Sequence, residues 1–456
     1  MNLPSRSSPE PAAATGTNAL ALAAWHGLSW LLVSCCLGLL LGVLLLFPQM
    51  NHGLGEWTYG RWVPLHLNLN LYGWCSLPLV AWLFRVYHVD RPPAARWSRA
   101  ALWTWSTALT AGAISWLMAQ GTGKLFLDWQ GYARGLFVLA MGFLWLVLAW
   151  SCHCHWRAEE NRSRIRRTVK IAGLAILFFV PLTLYWATSP KVYPPVNPDT
   201  GGPTGASLLE STLGIILILL VLPSGVGRQV RPQKQFIVGA WILFVAENIL
   251  CLALGRSNSS HHQAGQILGL GSLLLWVPVL PAYFNSFDWP AGSRRWRNAC
   301  LFWWGLLVTS AWLIFLPVLL DRFKFTDGLV GHAHMAMAGF VSSLNIFLLV
   351  VLLGENGRGF NSTWAFYAWQ GGTFGYVVIM FLAGSLESHH PAFTIIPGTA
   401  RAVIYTLRLV CGALMLAAAI HWWREISRVV ATRPKPQTEN PPVNKISASP
   451  SPAGIQ

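Results

Sequence analysis

The chain has 456 residues, 54% hydrophobic and only 11% charged, which excludes a water-soluble globular domain and points to a polytopic membrane protein. Its net charge of +16 would suit nucleic acid, but the basic residues fall in short loops between apolar runs, so nucleic acid is excluded as a partner and the lipid bilayer is expected instead. The eight cysteines lie mostly inside apolar runs and give no disulfide framework, and without a C-x-x-C-H motif the chain carries no covalent c-type haem.

A membrane helix needs about 20 apolar residues. Twelve runs meet that length and predict an all-α bundle of twelve transmembrane helices. In chain order they cover 21–47, 62–88, 98–118, 130–152, 168–188, 207–223, 236–255, 264–285, 298–319, 328–353, 365–384 and 401–423. The first is too long for a signal peptide and is expected to remain as a helix. The predicted organisation is a disordered cytoplasmic N-terminus (1–19), a membrane domain (20–425) and a disordered cytoplasmic tail (426–456). Both ends are rich in Pro, Ser, Ala and Asn, a composition that cannot bury enough apolar surface to order itself.

Lys and Arg set the expected orientation. Counting the tails and alternate loops on one side gives 22 of them, against 7 on the other, with Arg85, Arg134 and Arg408 inside spans. Positive charge stays on the cytoplasmic side, so both termini are expected there, in an inner-membrane protein of bacterial type.

This orientation brings polar groups from distant runs to one depth. His66 lies near the outer end of helix 2, in YGRWVPLHLNLN, and Glu210 near the outer end of helix 6, in ASLLESTLGI. His261 and His262 lie in the outer link between helices 7 and 8, and His332 and His334 near the outer end of helix 10, in FTDGLVGHAHMAMAGF. Residues two apart on an α-helix point about 200° apart. His332 and His334 therefore cannot share a metal, but each can serve a different one on opposite sides of the helix. A flat macrocycle on either flank fits this geometry, and Gly331, Ala333, Ala336, Ala338 and Gly339 leave it room.

These motifs resemble subunit I of the haem–copper oxidase superfamily, in its C-type branch of cbb-type cytochrome c oxidases and nitric oxide reductases. The resemblance covers nearly the whole chain and implies a bundle of that type. It implies that His66 and His334 hold a low-spin haem b and that His332 holds a high-spin haem b. It also implies that His261 and His262 bind a non-haem metal. Its usual electron donor is a membrane-anchored c-type cytochrome subunit on the outer side. RAVIYTLRLVCGAL, from Arg401 onward, resembles the family's helix 12.

The chain departs from that pattern at helix 6, where Glu210 stands in place of a third metal-binding histidine. Two imidazoles with a carboxylate suit iron better than copper. The catalytic set is then expected to be Glu210, His261, His262 and His332, with Glu210, His261 and His262 on the metal. Helices 6 and 7 also lack the tyrosine that dioxygen reduction needs in this superfamily. Both departures favour reduction of nitric oxide (NO) to nitrous oxide. Reduction of dioxygen (O2), and a haem protein without catalytic function, are the alternatives. The loop after helix 3 keeps only Asp128 of the family's acidic run, so bound calcium is not assumed.

Other polar residues read less sharply. Glu247 in helix 7 suits a proton path or an internal ion pair. Arg134 and Arg408 read as snorkelling near helix ends, while Arg61, Arg322 and Arg401 could hold propionates. The segment ESHH from Glu387 to His390 reads as outside any helix. The 26 tryptophans read mostly as interfacial and lipid-facing anchors.

Overall fold

The computed structural model describes residues 17–124, 126–156, 164–192, 205–226, 228–229, 234–254, 261–394 and 398–432. Among these, helix covers each of the twelve predicted stretches. The rods are α1 (Thr17–Leu46), α2 (59–86), α3 (Ala95–Leu117), α4 (Gly131–Cys154), α5 (Arg164–Ala187) and α6 (Gly205–Val226). They continue as α7 (Lys234–Leu254), α8 (264–285), α9 (Arg294–Phe315), α10 (327–353), α11 (Thr363–His389) and α12 (Thr399–Ala431). Two-residue strands β1 (Arg228–Gln229) and β2 (Phe287–Asp288) pair antiparallel. The protein is thus an all-α membrane protein. Nine of its described helices are long and apolar enough to cross a bilayer. The exceptions are α2, which is broken into segments, α3, and α6, whose apolar part runs only from Leu208 to Pro223.

The ends differ from expectation. Helix begins at Thr17 and α12 runs to Ala431, so the expected tails of 1–19 and 426–456 are partly helical. Their remaining parts, 1–16 and 433–456, lie outside the described residues.

Two rods share an irregularity. In α2 an α-helix (Tyr59–Asn68) passes through a π-helical turn (Leu69–Cys75) into a second α-helix (Leu77–Val86). In α10 the sequence is the same: α-helix Asp327–His334, π-helical turn Met335–Val341, α-helix Ser342–Leu353. A π-turn widens the helix by one residue and frees backbone groups from the regular ladder. In each rod a serine answers it. Ser76 Oγ donates to Leu71 O at 2.8 Å, and Ser342 Oγ donates to Met337 O at 2.8 Å. The two turns are also tied to each other. Trp74 Nε1 donates to Ser342 Oγ at 2.8 Å, and Asn345 Nδ2 donates to Trp74 O at 2.9 Å, both bonds buried. These bonds fix α2 against α10 just below the residues that follow.

The largest fully buried side chains of the core are mostly tryptophans. Trp74, Trp116, Trp129, Trp276, Trp296, Trp303, Trp304, Trp369 and Trp422 are fully buried. Several answer their N–H with a carbonyl of a neighbouring element: Trp105 with Tyr72 O, Trp116 with Asp128 O, Trp304 with Trp276 O and Trp369 with Ala338 O. An indole offers a large apolar body and a single donor, so these rings pack the rods with one polar atom each to satisfy, although the N–H groups of Trp129 and Trp422 are buried without a hydrogen-bond partner. The outward faces carry aliphatic and aromatic residues of α5 and α7, such as Ile176, Phe179, Ile242 and Leu252, together with tryptophans such as Trp103, Trp150 and Trp186, all exposed.

Close approach positions α10 on α11. A Cβ added at Gly384 would lie 2.3 Å from Gly328 N, so only glycine allows the two backbones to touch there. That contact brings Glu387 to the first turn of α10, where its Oε2 accepts from Asp327 N at 2.6 Å. Glu387 is buried and lies within α11, so the ESHH segment is held by a helix through His389.

Candidate functional site

His66, from the first segment of α2, and His334, from the last residue before the π-turn of α10, face each other. Their ring centroids are 6.3 Å apart and their planes differ by 21°. Each ring uses Nδ1 on a backbone carbonyl: His66 on Ser34 O of α1 at 2.8 Å, His334 on Val330 O at 2.8 Å. A carbonyl can only accept, so Nδ1 carries the proton in both rings and Nε2 is left as a lone-pair donor. Such a bond also fixes ring orientation and raises ligand basicity.

The two rings line a cavity of about 350 Å³ between α1, α2, α10, α11 and α12. The absence of side chains shapes it on the α1 side. A Cβ at Gly38 would stand 2.9 Å from His66 Cε1, so glycine there is what lets the imidazole sit against α1. Two metal–imidazole bonds of about 2 Å, with the half-widths of two rings, span roughly 6 Å. The His66–His334 spacing fits one metal ion held between them, and Gly38, Gly42, Ala333, Ala338 and Gly412 leave flat walls on the same cavity.

One wall is polar. Arg408 lines the cavity from about two and a half turns into α12, is buried, and its Nη1 makes no hydrogen bond. Its nearest acid is Asp327, at 3.7 Å. Asp327 also accepts from Tyr405 Oη at 3.2 Å. Between the cation and the imidazoles stands Tyr376, whose ring lies 4.2 Å from the His334 ring and 5.3 Å from the Arg408 guanidinium. Arg408 therefore does not snorkel. Arg61 donates to Leu117 O at 3.0 Å and Arg401 to Leu45 O.

A second group gathers about α9. His332, two residues before His334, approaches Ser310 Oγ with Nδ1 at 3.3 Å. His261 is fully buried, with its ring 6.4 Å from Phe315. Ser310 and Phe315 lie on one helix about 7.5 Å apart along its axis, so α9 carries both imidazoles at one end. The rings of His261 and His262 are 4.1 Å apart. The carboxylate beside them is Asp321, from the short helix Leu319–Phe323, with Oδ2 3.3 Å from His261 Nε2. Burial pushes the Asp321 carboxyl up, but the His261 hydrogen bond and the Lys324 charge outweigh it and hold it below the usual range. Glu210 is exposed on α6, and the group of described residues close enough together to share an ion is His261, His262 and Asp321.

No family model matches the chain, and no curated protein matches it.

Sequence reasoning named five of the histidines gathered in these two groups but missed Asp321, Arg408, Tyr376, Ser34 and Ser310. Arg408 carried a signal, since an arginine deep in an apolar run is a functional candidate by default. Asp321 carried none, because a residue about 60 positions from its partner has no spacing to read. Glu247 is buried, with Oε2 accepting from Trp276 Nε1 at 2.5 Å.

Proposed function

We propose that the chain is the haem-binding, catalytic subunit of a membrane reductase, with both termini in the cytoplasm. The observation that carries this reading is the His66–His334 pair: two imidazoles, 6.3 Å apart and 21° from coplanar, with both Nδ1 atoms committed to carbonyls. Such a pair is suited to hold the iron of a low-spin haem b, and Arg408 would answer one of its carboxylates. His332, on the other side of α10, would hold a high-spin haem b. His261 and His262 would hold non-haem iron beside it.

The haems and iron supply electron storage and a place for a small gas to bind. The chain supplies the rest. The peptide and side chains of α10 stand between His332 and His334, a short path for electrons. The cavity that His66 and His334 line is walled mostly by apolar residues such as Leu31, Val63, Leu329 and Met337. A carboxylate near the His261–His262 pair can take part in proton delivery at the second site.

The reaction read from these groups is the reduction of two nitric oxide molecules, with two electrons and two protons, to nitrous oxide and water. It is favoured over dioxygen reduction because α6 and α7 carry no tyrosine and because an acid stands beside the histidine pair. Electrons would come from an outer-side c-type cytochrome subunit.

Anaerobic purification, followed by haem counting, metal counting and nitric oxide consumption, tests this. The expected result is two haems b and one non-haem iron per chain, with nitric oxide consumed. Copper with dioxygen consumption would move the reading to an oxidase. Haem alone, without turnover, would leave an electron-transfer or sensing protein. Protein without haem would end the proposal.

A further inference from the structure

We infer that Asp321 is the third protein ligand of a metal site with His261 and His262. That ligand then comes from the link between α9 and α10, and not from Glu210 on α6. The inference rests on the reading of the histidine pair given above and names the ligand set which that reading leaves open.

The geometry is that of a ligand set. One ligand atom from each of His261, His262 and Asp321 lies within 4.8 Å of the other two. The closest pair, His261 Nε2 and Asp321 Oδ2, is at 3.3 Å. Donors bound to one first-row ion at about 2.1 Å stand roughly 3 to 3.5 Å from each other, so a small contraction would bring all three onto one centre.

The surroundings hold the acid in place. Asp321 Oδ1 faces Lys324 Nζ at 3.4 Å, leaving Oδ2 toward the imidazoles. A partner on the far oxygen is how a ligating carboxylate is usually oriented. The short helix carrying Asp321 lies between two left-handed residues, Val318 at φ 70° and Phe325 at φ 64°. A β-branched residue there is a strained outlier of about 1–3 kcal/mol that persists only where the surroundings demand it. The strain turns the chain so that Asp321 reaches back to the buried His261. Two imidazoles and one carboxylate, with further positions open, favour iron(II) over copper(I), which seeks softer donors.

The test uses the full-length, detergent-solubilised protein, stripped of non-haem metal and titrated with cobalt(II). X-ray absorption at the cobalt edge counts the imidazoles on the bound ion. The unaltered protein should take one cobalt per chain with two imidazoles. Asp321→Ala should weaken binding by at least 100-fold, Asp321→His should restore it with three imidazoles, and Glu210→Ala should change neither affinity nor count. An Asp321→His protein that still shows two imidazoles overturns the inference, because position 321 would not reach the metal. So does loss of cobalt in Glu210→Ala, cobalt retained when His261 and His262 are both alanine, or no cobalt bound at all. The optical spectrum of the same samples reads the haem independently. Haem without cobalt sinks this inference alone, and cobalt without haem sinks the proposed function while the metal site stands.

Discussion

Replacing His66 or His334 by alanine should abolish a bis-imidazole optical spectrum, since the proposed low-spin haem needs both rings. The more discriminating residue is Gly38. In Gly38→Leu the new Cβ meets His66 Cε1 at 2.9 Å, and the rest of the side chain has to enter the cavity. Low-spin haem content should fall severalfold while the protein still elutes as a folded species. Unchanged haem content would mean that His66 does not face the cofactor. Arg408→Leu removes a buried cation from the same cavity wall. A unit charge about 10 Å away at an effective dielectric near 20 is worth about 1.7 kcal/mol. Oxidised haem should be favoured by an amount of that order, read as a lower midpoint in a redox titration.

At the scale of elements, the two π-turns are the most informative. The hydrogen bond from Trp74 to Ser342 spans 268 positions. Ser342→Ala would leave the indole N–H buried without an acceptor, a cost of about 1–3 kcal/mol. The melting temperature in detergent should drop by several degrees, and the loss should not add independently to that of Asn345→Leu, which removes the donor to Trp74 O at the same junction. Additive losses would show that the two bonds act separately. The rods themselves were legible in the sequence, because apolar length is a direct consequence of bilayer thickness. The turns inside them were not. A π-turn shifts the face of a helix by one residue without altering hydropathy, so nothing in LNLYGWC or MAMAGFV distinguishes it from regular helix. The candidate site was half legible for the same reason. Histidines are rare in apolar runs and stand out by type. Asp321 and Tyr376 acquire meaning only from the neighbours that folding brings to them.

For the whole molecule, charge and length lead to a prediction of orientation. The excess of Lys and Arg on alternate loops predicts that the tail after α12 lies in the cytoplasm. A green fluorescent protein fused to the C-terminus should fluoresce, and an alkaline phosphatase fused there should be inactive. The opposite pattern would invert the bundle and put the histidines at the cytoplasmic face. The loop after α3 is anchored without any acidic cluster: Lys124 is buried and donates through Nζ to the carbonyls of Ala187, Ser189 and Val192 at the end of α5.

The walls around His66 and His334 come from both ends of the chain, with Ser34 and Gly38 supplied by the first rod and Arg408, Gly412 and Met415 by the last. A ribosome releases these segments far apart in time. The chamber can close only after the final rod has left the translocon and docked beside the first, so capture of the proposed porphyrin would be a late event. A nascent chain halted before α12 would sit in the membrane with an open seam, recognisable to quality-control proteases as unfinished.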